Sequence, residues 1–349
     1  MTIESILTKK EKKPEEIKNR PYVFIDGFNN FLRHYFVNQT INSKSEPIGG
    51  VVGFLRFLNY TINTFAPSKV FVVWETGGGS ARRKAVYKGY KENRSKLKEM
   101  QKLKANSGSM KDKLASDEEC KVQQLTLLYK LLKNTPICQV FVSGTECDDV
   151  IGYLVSQHFR NDPTDKIIIS NDKDFYQLLE SKSVVIYDQA KREIVDAQKV
   201  FERTGIATRN FCMARAIVGD VSDNLNGVPG VGLKTAAKRF QTLLSSSEKD
   251  VLISDILEEC DLQIAKKSKI KIFSEIKQNE DIVRRNWKLM HLSTGMLSAN
   301  EVAKIKHIVE THEPKMNKVA LIKEVISSGM SVAFDFDNFT SQLRTLLTY

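Results

Sequence analysis

The stretch Tyr22-Val-Phe-Ile-Asp26 consists of four apolar residues followed by an acid. Four more short runs rich in Val, Ile and Phe follow along the chain, at residues 69–74, 139–143, 166–170 and 183–187. Such runs predict strands that are buried on both faces of a sheet. Amphipathic stretches lie between them, at 50–65, 122–132 and 150–159. Strands that alternate with helices predict an α/β fold with a central, mainly parallel sheet flanked by helices.

The strand pattern stops near residue 200. Residues 211–221, 233–244, 251–259 and 281–290 have helical spacing, and the segment beyond 292 has no clear pattern. We therefore expect a flexible charged tail over residues 1–20, an α/β core over 21–200 and a helical C-terminal region over 201–349. The tail lacks the apolar segment of a signal peptide, and without a run of about 18 apolar residues we expect no membrane span.

The positive charge of the chain is concentrated in one segment. Of a net charge of +11, residues 82–113 carry +9, from 12 Lys or Arg and 3 acidic residues. This distribution is typical of a surface that binds a polyanion, although a solvated, self-repelling loop is an alternative. The five cysteines form no C-x-x-C pair, so we expect free thiols in a reducing compartment and no structural zinc site.

Acidic residues follow the predicted strands one after another, and two more end the helix predicted over 211–221, where they would share one face. The nine are Asp26, Glu75, Glu146, Asp148, Asp149, Asp172, Asp174, Asp220 and Asp223. Because ligands of an open parallel sheet bind at the carboxyl ends of its strands, we expect most of these acids to converge. Their repulsion would raise their pKa values unless cations neutralise it. Oxygen ligands favour Mg²⁺ or Mn²⁺, and two such ions about 3.5–4 Å apart can promote phosphodiester cleavage.

Each acid also has a local explanation. An Asp after a strand is commonly a helix N-cap or a turn residue, which applies to Asp26. The Asp172/Asp174 and Asp220/Asp223 pairs could likewise belong to loops, cap a helix or face solvent. The joint occurrence favours the metal cluster, because separate local explanations would have to hold at five places.

A glycine-rich connector, Asn226-Gly-Val-Pro-Gly-Val-Gly232, joins two predicted helices. Its glycines allow tight turns, and the start of the following helix is a ready phosphate site. The predicted contacts to a duplex backbone, without sequence readout, are Gly227, Gly230, Gly232, Lys234 and Thr235. The alternative is an ordinary glycine-rich connector.

In the basic segment, Tyr87 and Tyr90 alternate with cations, a pattern that suits single-stranded nucleic acid. The cations are Arg82, Arg83, Lys84, Lys88, Lys91 and Arg94. Cations near the metals could also stabilise transition-state charge. The tyrosines could equally be packing residues.

Taken in order, these motifs resemble the 5′-nuclease superfamily, which includes bacteriophage flap endonucleases and 5′→3′ exonucleases and the 5′-nuclease domain of bacterial DNA polymerase I. The matching pieces span residues 22–240, most of the chain. They are Val-Phe-Ile-Asp26-Gly, Val-Val-Trp-Glu75, Tyr90-Lys-Glu-Asn-Arg94, Gly-Thr-Glu146-Cys-Asp-Asp149, Ser-Asn-Asp172-Lys-Asp174, Gly-Asp220-Val-Ser-Asp-Asn224 and Gly-Val-Pro-Gly-Val-Gly232.

The resemblance implies a PIN-like core, a helical arch over about residues 82–120 and a helix–three-turn–helix over about 211–241. It implies a first metal site lined by Asp26, Glu75, Glu146, Asp148 and Asp172, and a second completed by Asp149, Asp174, Asp220 and Asp223. It implies catalytic roles for Asp26 and Asp172 through the metals, and for Lys91 and Arg83 through the scissile phosphate. A K⁺ ion would bind the turn at 227–232. Glu75 stands where many members carry Asp, and the glycines at 77–79 make the chain after it unusually loose.

The expected function is that of a monomeric, Mg²⁺-dependent 5′-nuclease, with Mn²⁺ as a substitute, that removes 5′ flaps or RNA primers from RNA–DNA duplexes during DNA replication. Extended helical C-termini occur in phage members, so we expect a phage origin and a cytoplasmic enzyme, in the host cytoplasm if phage-encoded. A PIN-type endoribonuclease is the alternative, but it would lack the 227–232 module. A non-catalytic DNA-binding relative is disfavoured by the presence of all nine acids. A single-strand-binding protein or a sliding clamp could dock at Phe334-Asp-Phe-Asp-Asn-Phe339, where core packing is the favoured alternative.

Overall fold

The computed structural model describes residues 20–94, 108–245, 249–292 and 296–347, and only the backbone of 108–116. A six-stranded sheet forms the centre of the molecule. Its strands are β1 (Tyr22–Asp26), β2 (Lys69–Glu75), β3 (Cys138–Val142), β4 (Lys166–Ile169), β5 (Val184–Asp188) and β6 (Glu193–Val195). The order is β3-β2-β1-β4-β5-β6, and every neighbouring pair is parallel except β5 and β6. The five predicted strands and the mainly parallel sheet are confirmed. β6 was not predicted, because three residues are too few to show a period.

Both faces of the sheet are covered, which explains why the strands are apolar throughout. Along β1, Phe24 lies in one hydrophobic core while Val23 and Ile25 lie in the other. The same alternation continues in β2, where Val73 contributes to the first core and Trp74 to the second. We call these the first and the second core.

Five helices accompany the first three strands: α1 (Gly27–Tyr35), α2 (Gly49–Phe65), α3 (Ala81–Val86), α4 (Gly108–Lys133) and α5 (Cys147–Tyr153). A π-helical turn, Leu154–His158, prolongs α5 and completes the helix predicted over 150–159. The helix predicted over 122–132 is the C-terminal part of α4. Residues 95–107, in the middle of the predicted arch, lie outside the described part of the chain.

The rest of the described chain is mainly helical. Its α-helices are α6 (Ala197–Thr204), α7 (Phe211–Val218), α8 (Leu233–Arg239), α9 (Ile253–Ala265), α10 (Ile272–Gln278), α11 (Glu280–Met290), α12 (Ala299–Thr311), α13 (Lys318–Ser327) and α14 (Phe336–Arg344). Short 3₁₀ turns lie at Lys173–Leu178, Thr208–Asn210 and Gln241–Leu244.

One helix prediction is wrong in a way that affects the site. The helix predicted over 211–221 ends at Val218, because Gly219 has a φ of +83° and turns the chain. Two short antiparallel strands follow, β7 (Gly219–Asp220) and β8 (Leu225–Asn226). Asp220 and Asp223 therefore belong to a hairpin and do not share the face of a helix.

The predicted helical region over 201–349 is divided between the two faces of the sheet. Residues of α7 to α12 join the first core, whereas α13 and α14 join the second core with α2 and α4. Phe334 and Phe339 are buried, and their rings are 5.4 Å apart. Core packing is thus confirmed for this aromatic segment, and a docking role is not supported.

The predicted tail over residues 1–20 lies outside the described residues except for Arg20. The guanidinium of Arg20 donates to the carbonyls of Ala66, Pro67 and Thr345, so this residue belongs to the fold. All five cysteines are free. Among the helices described, none has the length and apolar character needed to cross a bilayer.

Candidate active site

The carboxyl ends of four parallel strands bring acidic residues to one edge of the sheet. Asp26 ends β1 and Glu75 ends β2, while Glu146 and Asp148 follow β3 and Asp172 follows β4. These acids influence one another, since the negative charge of Asp172 helps raise the pKa values of both Asp26 and Asp148. Convergence of the acids at this edge follows directly from the parallel arrangement of the strands.

Four acids, which we call the open carboxylates, have no ion-pair partner among the described residues: Asp26, Glu75, Asp148 and Asp172. Burial and the neighbouring Asp172 raise the pKa of Asp26 to about 6. Burial, Asp172 and Asp26 raise the pKa of Asp148 well above its usual range. Burial and Glu146 raise the pKa of Glu75. Without a cation, this edge of the sheet therefore disfavours the charged forms of Asp26, Asp148 and Glu75.

Two of the open carboxylates also cap helical turns, which is the local explanation considered for these acids in the sequence. Oδ1 of Asp26 accepts a hydrogen bond of 2.9 Å from the backbone N–H of Asn29 at the start of α1. Oδ1 of Asp172 accepts one of 2.8 Å from the N–H of Asp174. Capping and membership of the acidic cluster thus coexist in the same residues, because each cap uses one carboxylate oxygen.

Glycine makes room for the Glu75 carboxylate. A Cβ atom on Gly79 would lie 2.6 Å from Oε1 of Glu75 and 2.8 Å from the carbonyl oxygen of Thr145. The glycine segment that follows β2, which looked loose in the sequence, is therefore close-packed at Gly79. A larger residue at this position would displace the longer acid from the edge of the sheet.

A second group of acids is neutralised by buried or half-buried cations. Arg83 donates to both oxygens of Asp149, over 2.6 and 2.8 Å, and lies 3.2 Å from Oε2 of Glu146. Lys91 Nζ is 2.8 Å from Oε1 of Glu146. Burial alone would raise the pKa of Glu146, but Arg83 and Lys91 hold it below its usual value. Asp149 is thereby committed to Arg83 and not left open like Asp148.

A third cation, Arg215 of α7, joins two more acids. Its Nη2 is 3.2 Å from Oδ1 of Asp174 and donates to Oδ2 of Asp220. Burial and Asp172 nevertheless raise the pKa of Asp174 to about 7. Hydrogen bonds from Ser222 and the charge of Arg215 outweigh burial and lower the pKa of Asp220.

Asp223 faces the base of the predicted arch. Its Oδ2 accepts a hydrogen bond of 3.0 Å from the Tyr90 hydroxyl, and its Oδ1 lies 2.7 Å from Nη2 of Arg94. The backbone N–H of Lys91, which has a φ of +54°, donates to the Asp223 carbonyl over 2.9 Å. The β7–β8 hairpin is therefore fastened to residues 90–94, and this brings Asp220 and Asp223 to the acidic edge.

The donor chemistry fits hard divalent cations, although the side chains are not prearranged around one. Within the described ranges, no three His, Cys, Asp or Glu side chains form a ready metal-binding group. The nine acids offer only oxygen donors, which suit Mg²⁺ or Mn²⁺. The raised pKa values of Asp26, Asp148 and Glu75 show where a cation would relieve repulsion.

The predicted nucleic-acid contacts of the arch differ widely in accessibility. Tyr90 is only 2% exposed and its hydroxyl also donates to Glu146, so packing, the stated alternative, fits it better than base stacking. The ring of Tyr87 is half-buried, with the Arg285 guanidinium 4.2 Å from its centroid. Arg82 pairs with Glu301 of α12, and Arg83 is 3% exposed. Three other cations retain exposed surface: Lys84 in part, and Lys88 and Arg94 more fully.

The glycine-rich turn is partly packed and partly open. A Cβ atom on Gly227 would clash with the Val218 carbonyl, which explains a glycine there. Gly230 has a φ of +75°, and apart from the adjacent residues no atom of the described chain lies within 4 Å of a Cβ built on Gly230 or Gly232. Lys234 is exposed in the first turn of α8, next to the half-buried Thr235. An open backbone surface beside an exposed lysine is compatible with a phosphate contact.

Sequence reasoning missed the role of Arg215 and that of the Tyr90 hydroxyl. Arg215 is five positions before Asp220 in a helix whose other residues are mostly apolar. A lone cation on an apolar helix near an acidic motif is the signal that could have found it, because a buried charge requires a partner. The contact of Tyr90 with Asp223 depends on a hairpin that the sequence did not predict.

The comparisons with known proteins agree with this architecture. The family model of the 5′-3′ exonuclease N-terminal resolvase-like domain matches residues 21–205. Over 230 residues, the chain is 30% identical to a 5′-3′ exonuclease of Buchnera aphidicola subsp. Schizaphis graminum. This match covers 65% of this chain and 72% of the relative. The chain is 29% identical to a 5′-3′ exonuclease of Bacillus subtilis, over 64% of this chain and 70% of the relative. A DNA polymerase I of Caldicellulosiruptor bescii is 30% identical, but the match covers 25% of that protein.

Two solved structures share the fold. The bacteriophage T5 5′-exonuclease with bound zinc ions has a TM-score of 0.66 and 20% identity, over 84% of this chain and all (100%) of that one. The bacteriophage T5 flap endonuclease in a complex with DNA and metal ions has a TM-score of 0.64 and 21% identity, over 83% and 98%. At these identities the likeness concerns the fold alone. The family model and the relatives show that the chain belongs to the 5′-3′ exonuclease family and is a 5′-nuclease.

Proposed function

We propose that this chain is a metal-dependent, structure-specific nuclease that hydrolyses phosphodiesters near the 5′ ends of DNA or RNA–DNA duplexes. The observation that carries the proposal is the set of open carboxylates at the ends of parallel strands, which have no ion-pair partner among the described residues. The pKa values of Asp26, Glu75 and Asp148 in this set are raised. Such a set is stabilised by a divalent cation, and Mg²⁺ is the natural candidate, with Mn²⁺ as a substitute.

In this proposal the open carboxylates hold one divalent cation, and Asp174, Asp220 and Asp223 contribute to a second. Bound divalent cations supply a water of lowered pKa as nucleophile and charge compensation for the phosphate. The chain itself orients the acids through the strand ends, and the two caps fix Asp26 and Asp172. Glu146 is held ionised by Lys91 and Arg83, so it contributes negative charge at neutral pH.

Lys91 and Arg94 are the cations best placed to meet the phosphate. Lys91 pairs with Glu146 and its charge also acts on Asp223, and the side chain of Arg94 is 55% exposed beside Asp223. Fixed positive charge beside the cleaved bond stabilises the charge that develops in the transition state. Arg83 was also expected at the phosphate, but its guanidinium is enclosed by Asp149 and Glu146. A structural role for Arg83 is therefore the better proposal.

The turn at 227–232, with Lys234 and Thr235, would hold the duplex part of the substrate. Its open glycines allow close approach of a phosphate backbone, and Lys234 adds charge. A K⁺ ion bound by backbone carbonyls of this turn would add to that contact. The predicted arch, with Lys84 and Lys88 at its accessible end, would receive the 5′ single strand.

The biological setting follows from the substrate class. Flaps and RNA primers arise at replicating DNA, so we propose a monomeric enzyme of replication in the cytoplasm, with a phage origin as the favoured source. Single-strand-binding protein or a sliding clamp stay as candidate partners. The PIN-type endoribonuclease is less favoured, because the 5′-3′ exonuclease family model and its relatives match this chain.

A 5′-labelled duplex with a single-stranded 5′ flap tests the proposal. We expect cleavage near the junction with Mg²⁺, no cleavage with EDTA, and loss of cleavage in Asp26→Ala plus Asp172→Ala. Asp335→Ala, which removes the cap of α14, is the control. Full activity in EDTA would exclude the metal mechanism, and internal RNA cuts with intact flaps would favour the endoribonuclease.

A further inference from the structure

Arg215 is an internal cation that lies between two acids of the site. Its Nε and Nη2 are 3.3 and 3.2 Å from Oδ1 of Asp174, and Nη2 also donates to Oδ2 of Asp220. The side chain is 13% exposed. Among the described residues, no other Lys or Arg forms an ion pair with either acid. Asp174 and Asp220 are thus linked through one guanidinium, whereas the four open carboxylates have no such partner.

We infer that Arg215 is a built-in counter-ion that competes with a divalent cation for Asp174 and Asp220. The inference rests on the proposed two-cation function and adds an order to it. A divalent cation at the open carboxylates displaces no ion-pair partner, although the charge of Lys91 acts on Asp26, Glu75 and Asp148, and it therefore binds first. A divalent cation at Asp174 and Asp220 is repelled by the Arg215 guanidinium a few ångströms away. The second position therefore binds its cation more weakly until the Arg215 side chain moves out of these ion pairs.

The same contacts give Arg215 a positioning role when no metal is bound. Asp174 follows β4 and Asp220 belongs to the β7–β8 hairpin, so the two acids come from separate parts of the chain. Without a cation between them their repulsion would push the hairpin away from the sheet edge. Arg215 is anchored on α7, whose remaining side chains are mostly buried. It can therefore hold the second position in shape before a metal arrives.

Mn²⁺ titration followed by electron paramagnetic resonance, without DNA, tests this inference. For the wild-type protein we expect one tight and one weaker Mn²⁺ site. Arg215→Gln keeps a polar, though shorter, side chain but removes the charge, and the weaker site should tighten about tenfold. Arg215→Lys keeps the charge but loses the planar guanidinium that contacts both acids, so we expect the weaker Mn²⁺ site to tighten less than in Arg215→Gln. The matched control is Arg284→Gln, which removes an arginine from an exposed pair on α11.

Thermal unfolding gives a second readout. In EDTA, Arg215→Gln should melt below the wild type, and saturating Mn²⁺ should raise its melting temperature by more than it raises that of the wild type. Arg284→Gln should match the wild type in both conditions. If Arg215→Gln does not fold, the smaller change in Arg215→Lys decides the question by the same titration.

The possible failures are distinguishable. Two Mn²⁺ sites in the wild type, with the weaker site unchanged in both Arg215 variants, would overturn the inference but leave the proposed function intact. A wild-type protein that binds no Mn²⁺ would overturn both. An Arg215→Gln variant with weaker binding at the second site would also overturn the inference, because it would make the arginine a support for the cation and not its competitor.

Discussion

Arg83 and Asp149 form a two-pronged ion pair below the acidic edge, with donor–acceptor distances of 2.6 and 2.8 Å. Arg83 Nε also donates to the carbonyl of Leu289, over 2.8 Å. One side chain therefore joins α3, α5 and α11. This arginine is enclosed and holds the three helices together.

Arg83→Met should destabilise the protein by about 3–5 kcal/mol, because it leaves Asp149 buried and without its partner. Urea unfolding measures the loss, and Arg284→Met on the surface of α11 is the control. The double variant Arg83→Met plus Asp149→Leu should recover part of the stability. Unchanged stability combined with lost cleavage would instead return Arg83 to the phosphate, where the family resemblance had put it.

Lys91→Ala and Arg94→Ala should each lower kcat for flap cleavage by about 10²-fold, the effect of removing one donor that stabilises developing charge. Arg94→Ala should leave stability within about 1 kcal/mol, because the Arg94 side chain is largely exposed. Single-turnover cleavage and urea unfolding are the measurements, with Lys130→Ala on α4 as control. Normal kcat in both variants would contradict a phosphate role for the arch base.

Without metal, the protein should lose stability as pH rises from about 4 to 7. The pKa values of Asp26 and Asp174 are raised to about 6 and about 7, so in this window the folded state binds more protons than the unfolded state. Stability from these groups is present below the unfolded pKa and disappears as pH passes the folded pKa. Asp26→Asn should flatten the dependence and stabilise the metal-free protein at pH values near 8.

Urea unfolding in EDTA across this range measures the effect, and Asp335→Asn is a matched control because Asp335 also caps a helix. Saturating Mg²⁺ should reverse much of the loss at high pH. If Asp26→Asn leaves the pH dependence of stability unchanged, the Asp26 carboxylate is already compensated in the metal-free protein. That result would contradict the raised pKa of Asp26.

Lys234→Ala should weaken binding to duplex DNA and reduce the slope of log affinity against log salt by about 1, as expected for one lost phosphate contact. Fluorescence anisotropy in Ca²⁺ at several salt concentrations measures both quantities. Gly227→Ala should act differently, through stability, because its Cβ would clash with the Val218 carbonyl. If Lys234→Ala leaves the slope unchanged, the duplex does not contact the start of α8.

Much of the fold and of the acid set could be read from the residues in order. Five apolar runs predict the strands because a strand covered on both faces needs apolar residues at every position. The parallel arrangement then places Asp26, Glu75, Asp148 and Asp172 together. The hairpin that contains Asp220 and Asp223 was predicted as the end of a helix, because hydrophobic periodicity does not reveal the turn at Gly219.

The sequence by itself determined the α/β architecture, the family and the carboxylates, because strand burial and motif order are local properties of the chain. Only the tertiary structure decided how those acids are compensated. Arg83 pairs with Asp149, and Lys91 pairs with Glu146. Arg215 forms ion pairs with both Asp174 and Asp220. These partners are 41 to 66 residues apart except for Arg215 and Asp220. Pairing at such separations depends on which helices pack side by side, and a linear pattern of charge contains no record of that.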